Sequence, residues 1–498
     1  MFDKGSISYA EKRSMTIYNA ISPRIYGLPK IHKQGIPLRP VVSFVGSPTY
    51  NLAKFISANL SPLSQSHYNV KNSLEIAEFV VESRLPEGYV LISLDVVSLF
   101  TNVPIDIALK EIERRFHEIG PNTDLQKEDF LTLTKFCLTT GYFTYNGTVY
   151  SQLKGVAMGS PISPIVADIV MQKALDSIME NSHLRIGFIK KYVDDLLLSI
   201  HQDDVDTVLE AFNGFHPAIQ FTMEQEVDRS LPYLDMKIHR DTENNLRTTW
   251  YAKPYTSQRI LNYNSGHPLN MIINVGKNLA KRVRSLTTES QNSTDTTKTI
   301  FTILRKNDFP PRVIRRILAA DSSASRTVNS QPAVISEPFQ SLGYIPGVSE
   351  KMKKRIKQST EQRISFRPLE RIGKFFSRLK DPVPIELQSG VVYEVPCKDC
   401  HLKYIGTTGQ LLKNRLQQHK RDCKPPIVNT LVSTLCTHTA ETGHSFDFDA
   451  TRILDRHNIY SKRMMLEALH IRKNINTVCN KRDDISCLNA IYAGLPDP

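Results

Sequence analysis

The stretch KKYVDDLLLSI, residues 190–200, sets Asp194 and Asp195 inside a run that is otherwise aromatic, β-branched and aliphatic. Such a run predicts two short strands with the aspartates at or near the turn between them. Burying one unpaired carboxylate is costly, and a second beside it adds repulsion. A bound divalent cation removes both penalties; the alternative is an Asp-rich surface turn. A second segment, YVLISLDVVSLFTNVP (89–104), is an apolar strand ending in Asp95, again a carboxylate where burial is expected. Three carboxylates from two strand ends suit two Mg²⁺ ions about 4 Å apart. Such a pair activates a hydroxyl and stabilises a leaving pyrophosphate during in-line displacement. Mg²⁺ favours this oxygen-only environment, with substrate phosphates completing its shell.

At 498 residues the chain is too long for one ordinary domain. Its formal charge of +13 suits a polyanionic partner. No apolar run approaches the roughly 20 residues of a membrane span, and the opening MFDKGSISYAEKRSM lacks an apolar signal core. The expectation is an intracellular chain with reduced cysteines and no membrane contact. Seven cysteines are present, six of them at or beyond Cys397, which argues for a local site and against a disulfide framework.

Residues 1–270 carry dense strand and helix signals. SLTTESQNSTDTTKT (285–299) and AADSSASRTVNSQPAVISEP (319–338) read as polar loops or linkers around a short basic helical piece. Residues 351–380 hold eleven Lys and Arg against two Glu. That pattern fits a nucleic-acid grip, a nuclear-localisation signal or both. A Cys/His-bearing module follows from about 388.

Taken together, these motifs resemble those of reverse transcriptases. Asp95 with Phe100 five positions on resembles the first palm motif, QLKGVAMGSPISPIVADIVM (152–171) the second, YVDD (192–195) the third, and YGLPKIHKQGIPLRPVVS (26–43) the fingers. With LPYLDMKI (231–238) and KPYTSQRILNYNSGHP (253–268), the chain is most similar to Penelope-like retroelements. The resemblance implies Asp95, Asp194 and Asp195 as carboxylates for two Mg²⁺ ions. Asp195 is expected to act less directly, because adjacent strand residues face opposite ways. It implies Arg39 as a triphosphate clamp aided by Lys30, and Phe100 as the aromatic gate that selects dNTPs, unless it is a core residue. Gly159 would let backbone approach the base pair; Met158 stands where many relatives carry Gln. LPYLDMKI would grip the primer, with Tyr233 either in the grip or in a core. In NVGKNLAKRVRSL, Lys277, Lys281 and Arg284 share one helical face, which tracks a duplex backbone or is merely solvated.

SGVVYEVPCKDCHLKYIGTTGQLLKNRLQQHKRDC (389–423) resembles a GIY-YIG endonuclease, with VVY in place of GIY. Arg415 and His419 stand four apart on an expected helix and so share a face; Glu467 lies on another. The resemblance implies that Tyr393 and Tyr404 orient or deprotonate the attacking water. Arg415 would stabilise phosphorane charge, Glu467 would hold one Mg²⁺, and His419 would serve as base or proton relay. Asn480, or in its place Asn489, matches a structural asparagine. CKDC is a zinc signal; Cys397, Cys400, His438 and His444 are the preferred structural Zn²⁺ ligands, with Cys423 and Cys436 as alternatives.

The expected fold is therefore a multidomain α+β chain: a right-hand polymerase followed by a small α/β GIY-YIG nuclease with a zinc site. Residues 1–88 would be fingers, 89–270 palm with primer grip, 271–345 thumb-like helices with flexible linkers, 346–387 a basic linker and 388–490 the nuclease. An N-terminal extension for binding template RNA is expected in the family and looks short or missing here. Implied partners are template RNA, primer and target DNA, and dNTPs, in the nucleus. Two other readings compete: a domesticated nucleic-acid-binding protein without catalysis, and a polymerase with a non-cleaving zinc module.

Overall fold

The structure is a computed structural model describing residues 7–31, 33–120, 123–181, 183–288, 293–321, 339–360, 362–369, 372–424 and 433–485. In chain order, β1 (Arg24–Pro29) and β2 (Leu38–Ser43) form a hairpin, and β3 (Tyr89–Val96) follows two helices. A second hairpin is β4 (Tyr142–Tyr145) and β5 (Thr148–Ser151). After the long helix Ser163–Asn181 come β6 (Ile186–Tyr192), β7 (Asp195–His201) and β8 (Phe221–Gln225). The first two hairpins join as β2-β1-β4-β5, and the remaining strands form the antiparallel sheet β6-β7-β3-β8.

That second sheet is covered on both faces, as its near-continuous apolar strands require. Ile92, Leu94 and Val96 of β3, with Leu196, Leu198 and Ile200 of β7, enter the largest core beneath the helix Ser163–Asn181. Leu91 and Leu197 enter a second core on the opposite face, with the helix Ser73–Val81. Period-two alternation places Asp95 and Asp195 on the face of Leu91 and Leu197, at the strand ends where that second core stops.

The second core also holds the sheet β9 (Ser230–Tyr233), β10 (Met236–Arg240) and β11 (Leu246–Trp250), in the order β11-β10-β9. Three helices follow, Leu269–Ser285, Ser293–Lys306 and Pro311–Asp321, around a core of their own. Gly276 lets the first and third approach closely: a Cβ there would stand 2.8 Å from Ile317 Cδ1. The polar stretch 285–299 departs from the linker expectation, because its end is helical from Ser293. Ile300, Ile303 and Leu304 anchor that helix in the core and carry its polar first turns with them. The stretch 319–338 lies outside the described residues beyond Asp321.

The basic stretch is also more ordered than a linker. β12 (Gln340–Tyr344), the helix Ser349–Ser359 and β13 (Ile364–Pro368) make a βαβ unit with its strands paired in parallel. The last unit has β14 (Val391–Pro396), β15 (Lys403–Thr408) and β16 (Arg452–Arg456) in the antiparallel order β15-β14-β16. The helices Leu412–Asp422, Thr434–Thr442 and Tyr460–Lys473 flank it. No helix among the described residues is long and apolar enough to cross a membrane.

Candidate active sites

The aspartate pair sits where its sequence predicts. β6 ends at Tyr192, β7 begins at Asp195, and Tyr192 and Asp195 are register partners, so Val193 and Asp194 form the turn. Asp195 is also the register partner of Asp95 on β3. Directly opposed residues of an antiparallel pair have Cα atoms about 4.5–5.5 Å apart and side chains on one face. Asp195 thus faces Asp95 more directly than expected, while Asp194 reaches in from the turn. Val193 has φ +58°, an outlier for a β-branched side chain and a strained link beside Asp194.

Electrostatics tie the three carboxyls together. Removal of water and the Asp194 charge raise Asp95, and Lys33, Lys253 and Lys30 pull it back. Burial first, then Asp194 and Asp95, push Asp195 up to about 6. Repelling oxygen donors with a displaced proton are a fit donor set for a hard divalent cation. Behind them, Tyr233 Oη donates to the Asp195 carbonyl at 3.0 Å, so the β9–β10 hairpin buttresses the aspartate backbone. At that hairpin's turn, Asp235 Oδ2 meets Arg282 Nε at 2.6 Å, joining the hairpin to the helix Leu269–Ser285.

Backbone contacts lock the other motifs around this centre. Val156 N donates to Phe100 O at 2.7 Å and Val42 N to Met158 O at 2.8 Å. Gly159 has φ +117°, and a Cβ there would lie 2.2 Å from Val42 O. Its missing side chain serves the close approach of β2. Gly155, unremarked in the sequence, does the same on the other side: its Cβ would lie 2.3 Å from the Thr101 carbonyl. Phe100 is half-buried, packed against the edge of the main core. Arg39 is exposed on β2, opposite Leu28 of β1. Lys33, Lys253 and Lys30 all pull the Asp95 carboxyl down; only Lys30 is singled out in the sequence, as a helper of Arg39. Lys33 and Lys253 lie in quoted motifs, and surface lysines are too common for sequence to single them out.

The expected basic face of the helix Leu269–Ser285 is only partly free. Lys277 and Lys281 are exposed, but Arg284 donates to Leu318 O at 3.1 Å and ties this helix to Pro311–Asp321.

The C-terminal unit interlocks by side chains. Tyr393 is fully buried on β14 and its hydroxyl lies 2.8 Å from His419 Nε2. The Tyr404 and His419 rings are 5.3 Å apart, near-perpendicular. Gly406 is the space these tyrosines need: a Cβ there would lie 2.8 Å from Tyr404 Oη and 3.0 Å from Tyr393 Oη. Burial pushes the Tyr393 hydroxyl up to about 12, and the neighbouring Arg415 charge pulls it back; Arg415 itself donates to Gln418 Oε1 at 3.1 Å. Burial, then the Asp484 charge, push Glu467 up to about 7 against the pull of Arg415. All five expected residues thus converge. Burial, then the Arg415 charge, bring the His419 imidazole down to about 3. Asn480 clamps β15, its Oδ1 accepting from Ile405 N and its Nδ2 donating to Ile405 O, each at 2.9 Å. Asn489 lies outside the described residues.

Cys397 and Cys400, at the β14–β15 turn, meet His438 and His444 with all four ligand atoms within 4.8 Å of one another. His444 Nδ1 is buried without a partner among the described residues. A tetrahedral Zn²⁺ with Zn–S of about 2.3 Å and Zn–N of about 2.0 Å fits that spacing. The alternative ligands Cys423 and Cys436 instead face each other, Sγ to Sγ 3.6 Å.

Residues 31–226 match the family described as "Reverse transcriptase (RNA-dependent DNA polymerase)". That match supports RNA-directed DNA polymerase activity for the segment carrying all three aspartates. Residues 259–319, the three-helix unit expected as a thumb, match the family described as "Animal helix-turn-helix domain". No curated protein matches the chain. Among solved structures, the chain is similar to telomerase from Candida albicans in complex with a fragment of telomeric RNA. The identity is 11%, the alignment covers 64% of this chain and 59% of that one, and the TM-score is 0.43. It is also similar to the Sicinivirus 3Dpol RNA-dependent RNA polymerase, at 12% identity, 63% and 71% coverage and TM-score 0.40. The chain spans about three-fifths of the telomerase structures it resembles, 59% and 63% for two of them.

Proposed function

We propose that the chain is a Penelope-like retroelement enzyme that nicks target DNA with a GIY-YIG nuclease and extends the exposed 3′-hydroxyl on an RNA template. The observation that carries this is the Asp95–Asp195 register with Asp194 at the turn, inside a segment matched to reverse transcriptases. Asp95, Asp194 and Asp195 would hold Mg²⁺, which when bound supplies Lewis-acid activation of the 3′-hydroxyl and charge neutralisation at the phosphate. Lys30 and Lys33 present positive charge to the same cleft, where a dNTP triphosphate carries its negative charge. Arg39 would complete that clamp, and Phe100, anchored through its carbonyl, would stand under the sugar.

In the nuclease, Glu467 would hold one Mg²⁺. Tyr393, held by His419, and Tyr404 would position the attacking water, and Arg415 would meet charge developing on the scissile phosphate. Cys397, Cys400, His438 and His444 would hold a structural Zn²⁺. Cleavage of chromosomal DNA implies a nuclear destination.

Two variants test both activities crosswise. Asp194→Asn should abolish primer extension on RNA and leave plasmid nicking intact; Glu467→Gln should do the reverse. Undiminished extension by Asp194→Asn would defeat the polymerase assignment. Nicking retained by Glu467→Gln would leave the nuclease without its assigned centre.

A further inference from the structure

The βαβ unit between the two catalytic units, with the strap that follows it, is a cationic surface with bare aromatic rings. Its helix, Ser349–Ser359, buries only Ser349. Lys351, Lys353, Lys354, Arg355 and Lys357 surround it, all exposed. Like charges therefore stand three and four apart along the helix, where they repel. A polyanion relieves that repulsion. Rings lie among these charges: Lys353 Nζ is 5.1 Å from the centroid of Phe366, and the Arg363 guanidinium 4.2 Å from that of Phe339. In the strap, Phe375 and Phe376 are 79% and 70% exposed, with Lys374 Nζ 5.3 Å from the Phe375 centroid.

The strap's far end is fastened to the fingers hairpins. Lys380 Nζ donates to Ser43 Oγ at 3.0 Å and lies 5.3 Å from the Tyr26 centroid. Asn146 N, at the β4–β5 turn, donates to Asp381 Oδ2 at 3.0 Å. The exposed rings thus lie a few residues from a fixed point on the fingers.

We propose that the helix Ser349–Ser359, β13 (Ile364–Pro368) and residues 372–380 bind single-stranded RNA, holding the template as it approaches the fingers. The inference rests on the polymerase reading. Lysines and arginines track a phosphate backbone, and exposed rings stack on unpaired bases, which a duplex hides. A membrane-surface helix needs a broad apolar face; this one offers only Met352 and Ile356 among its cations.

The test uses the full chain and a fluorescein-labelled 20-nucleotide oligouridylate, read by anisotropy at two salt concentrations. The variants are Lys353→Ala/Lys354→Ala/Arg355→Ala and Phe375→Ala/Phe376→Ala, all at exposed positions, with folding checked by circular dichroism. The cation variant should lose tenfold or more in affinity, and its log–log salt slope should shrink by about two, from roughly 0.7 per phosphate contact. The phenylalanine variant should lose about fivefold or more with its slope unchanged. 4-Thiouridine photo-crosslinks in the parent should map to residues 366–379. Asp194→Asn should bind RNA like the parent while failing to extend, which separates this proposal from the polymerase reading. Parent-like RNA binding by both variants, crosslinks confined to the aspartate cleft, equal affinity for duplex RNA, or stronger binding to phosphatidylserine vesicles than to RNA would each overturn it.

Discussion

The two candidate active sites are built in opposite ways. The polymerase aspartates are placed by backbone: a strand register, a two-residue turn and glycines that let neighbouring chains close in. Their carboxyls repel one another at the edge of an open cleft. The residues proposed for the C-terminal unit are placed by each other: Tyr393, Tyr404 and His419 form a buried interlock around Gly406, with Arg415 beside it. Removing a charge from the first site should leave the fold intact. Removing a hydroxyl from the second should weaken the unit that holds it.

The largest effect expected is metal removal. Stripping the Zn²⁺ proposed at Cys397, Cys400, His438 and His444 with a chelator should destabilise the C-terminal unit by about 5 kcal/mol or more. Calorimetry should show its transition fall while that of the polymerase stays put, and Cys397→Ser should reproduce the loss. Next, Asp194→Asn should slow RNA-templated extension about a thousandfold or more, ~4 kcal/mol of barrier, with thermal stability unchanged or raised. A variant that unfolded would erase the contrast between the sites.

Tyr393→Phe should cost about 1–3 kcal/mol. It strips the partner from His419 Nε2, and His419 Nδ1 is already unpartnered among the described residues. Chemical denaturation of the C-terminal unit's transition measures this. Retained stability would show that the interlock is dispensable.

The sites should also differ in pH. Asp195 and Glu467 both titrate above the ordinary carboxyl range, at about 6 and about 7. The folded chain holds each proton more tightly than the unfolded one. Stability from these groups is thus greatest below about pH 4 and falls as pH rises through 6 and 7 respectively. Cation binding needs the ionised form, so activity follows the reverse course. At subsaturating Mg²⁺, extension should reach half-maximum about one pH unit below nicking. Coincident profiles would dissolve that distinction. The smallest effect is at Val193: Val193→Gly relieves a positive φ and should stabilise the chain by about 1 kcal/mol.

Sequence displayed the polymerase centre well because its signal is periodic. Charged residues interrupting apolar strands stand out, and the register follows from the turn. The grouping in the C-terminal unit was legible only through resemblance to a family, since nothing local links Tyr393 to Glu467 across more than seventy positions. Lys33 and Lys253 were hidden by the abundance of lysine. The helix from Ser293 was hidden by its polar first turns, although Ile300, Ile303 and Leu304 carry the spacing of a buried face. The βαβ unit at 340–368 was hidden for a different reason. Its helix buries almost nothing, so hydrophobic periodicity had no stripe to report.

Anomalous scattering from Mn²⁺, in crystals of the chain with a primer annealed to an RNA template, addresses the aspartate centre most directly. The account predicts Mn²⁺ within about 2.3 Å of carboxylate oxygens from both Asp95 and Asp194, beside the primer's 3′ end. An ordered primer terminus at this cleft with no Mn²⁺ peak against either aspartate would contradict it.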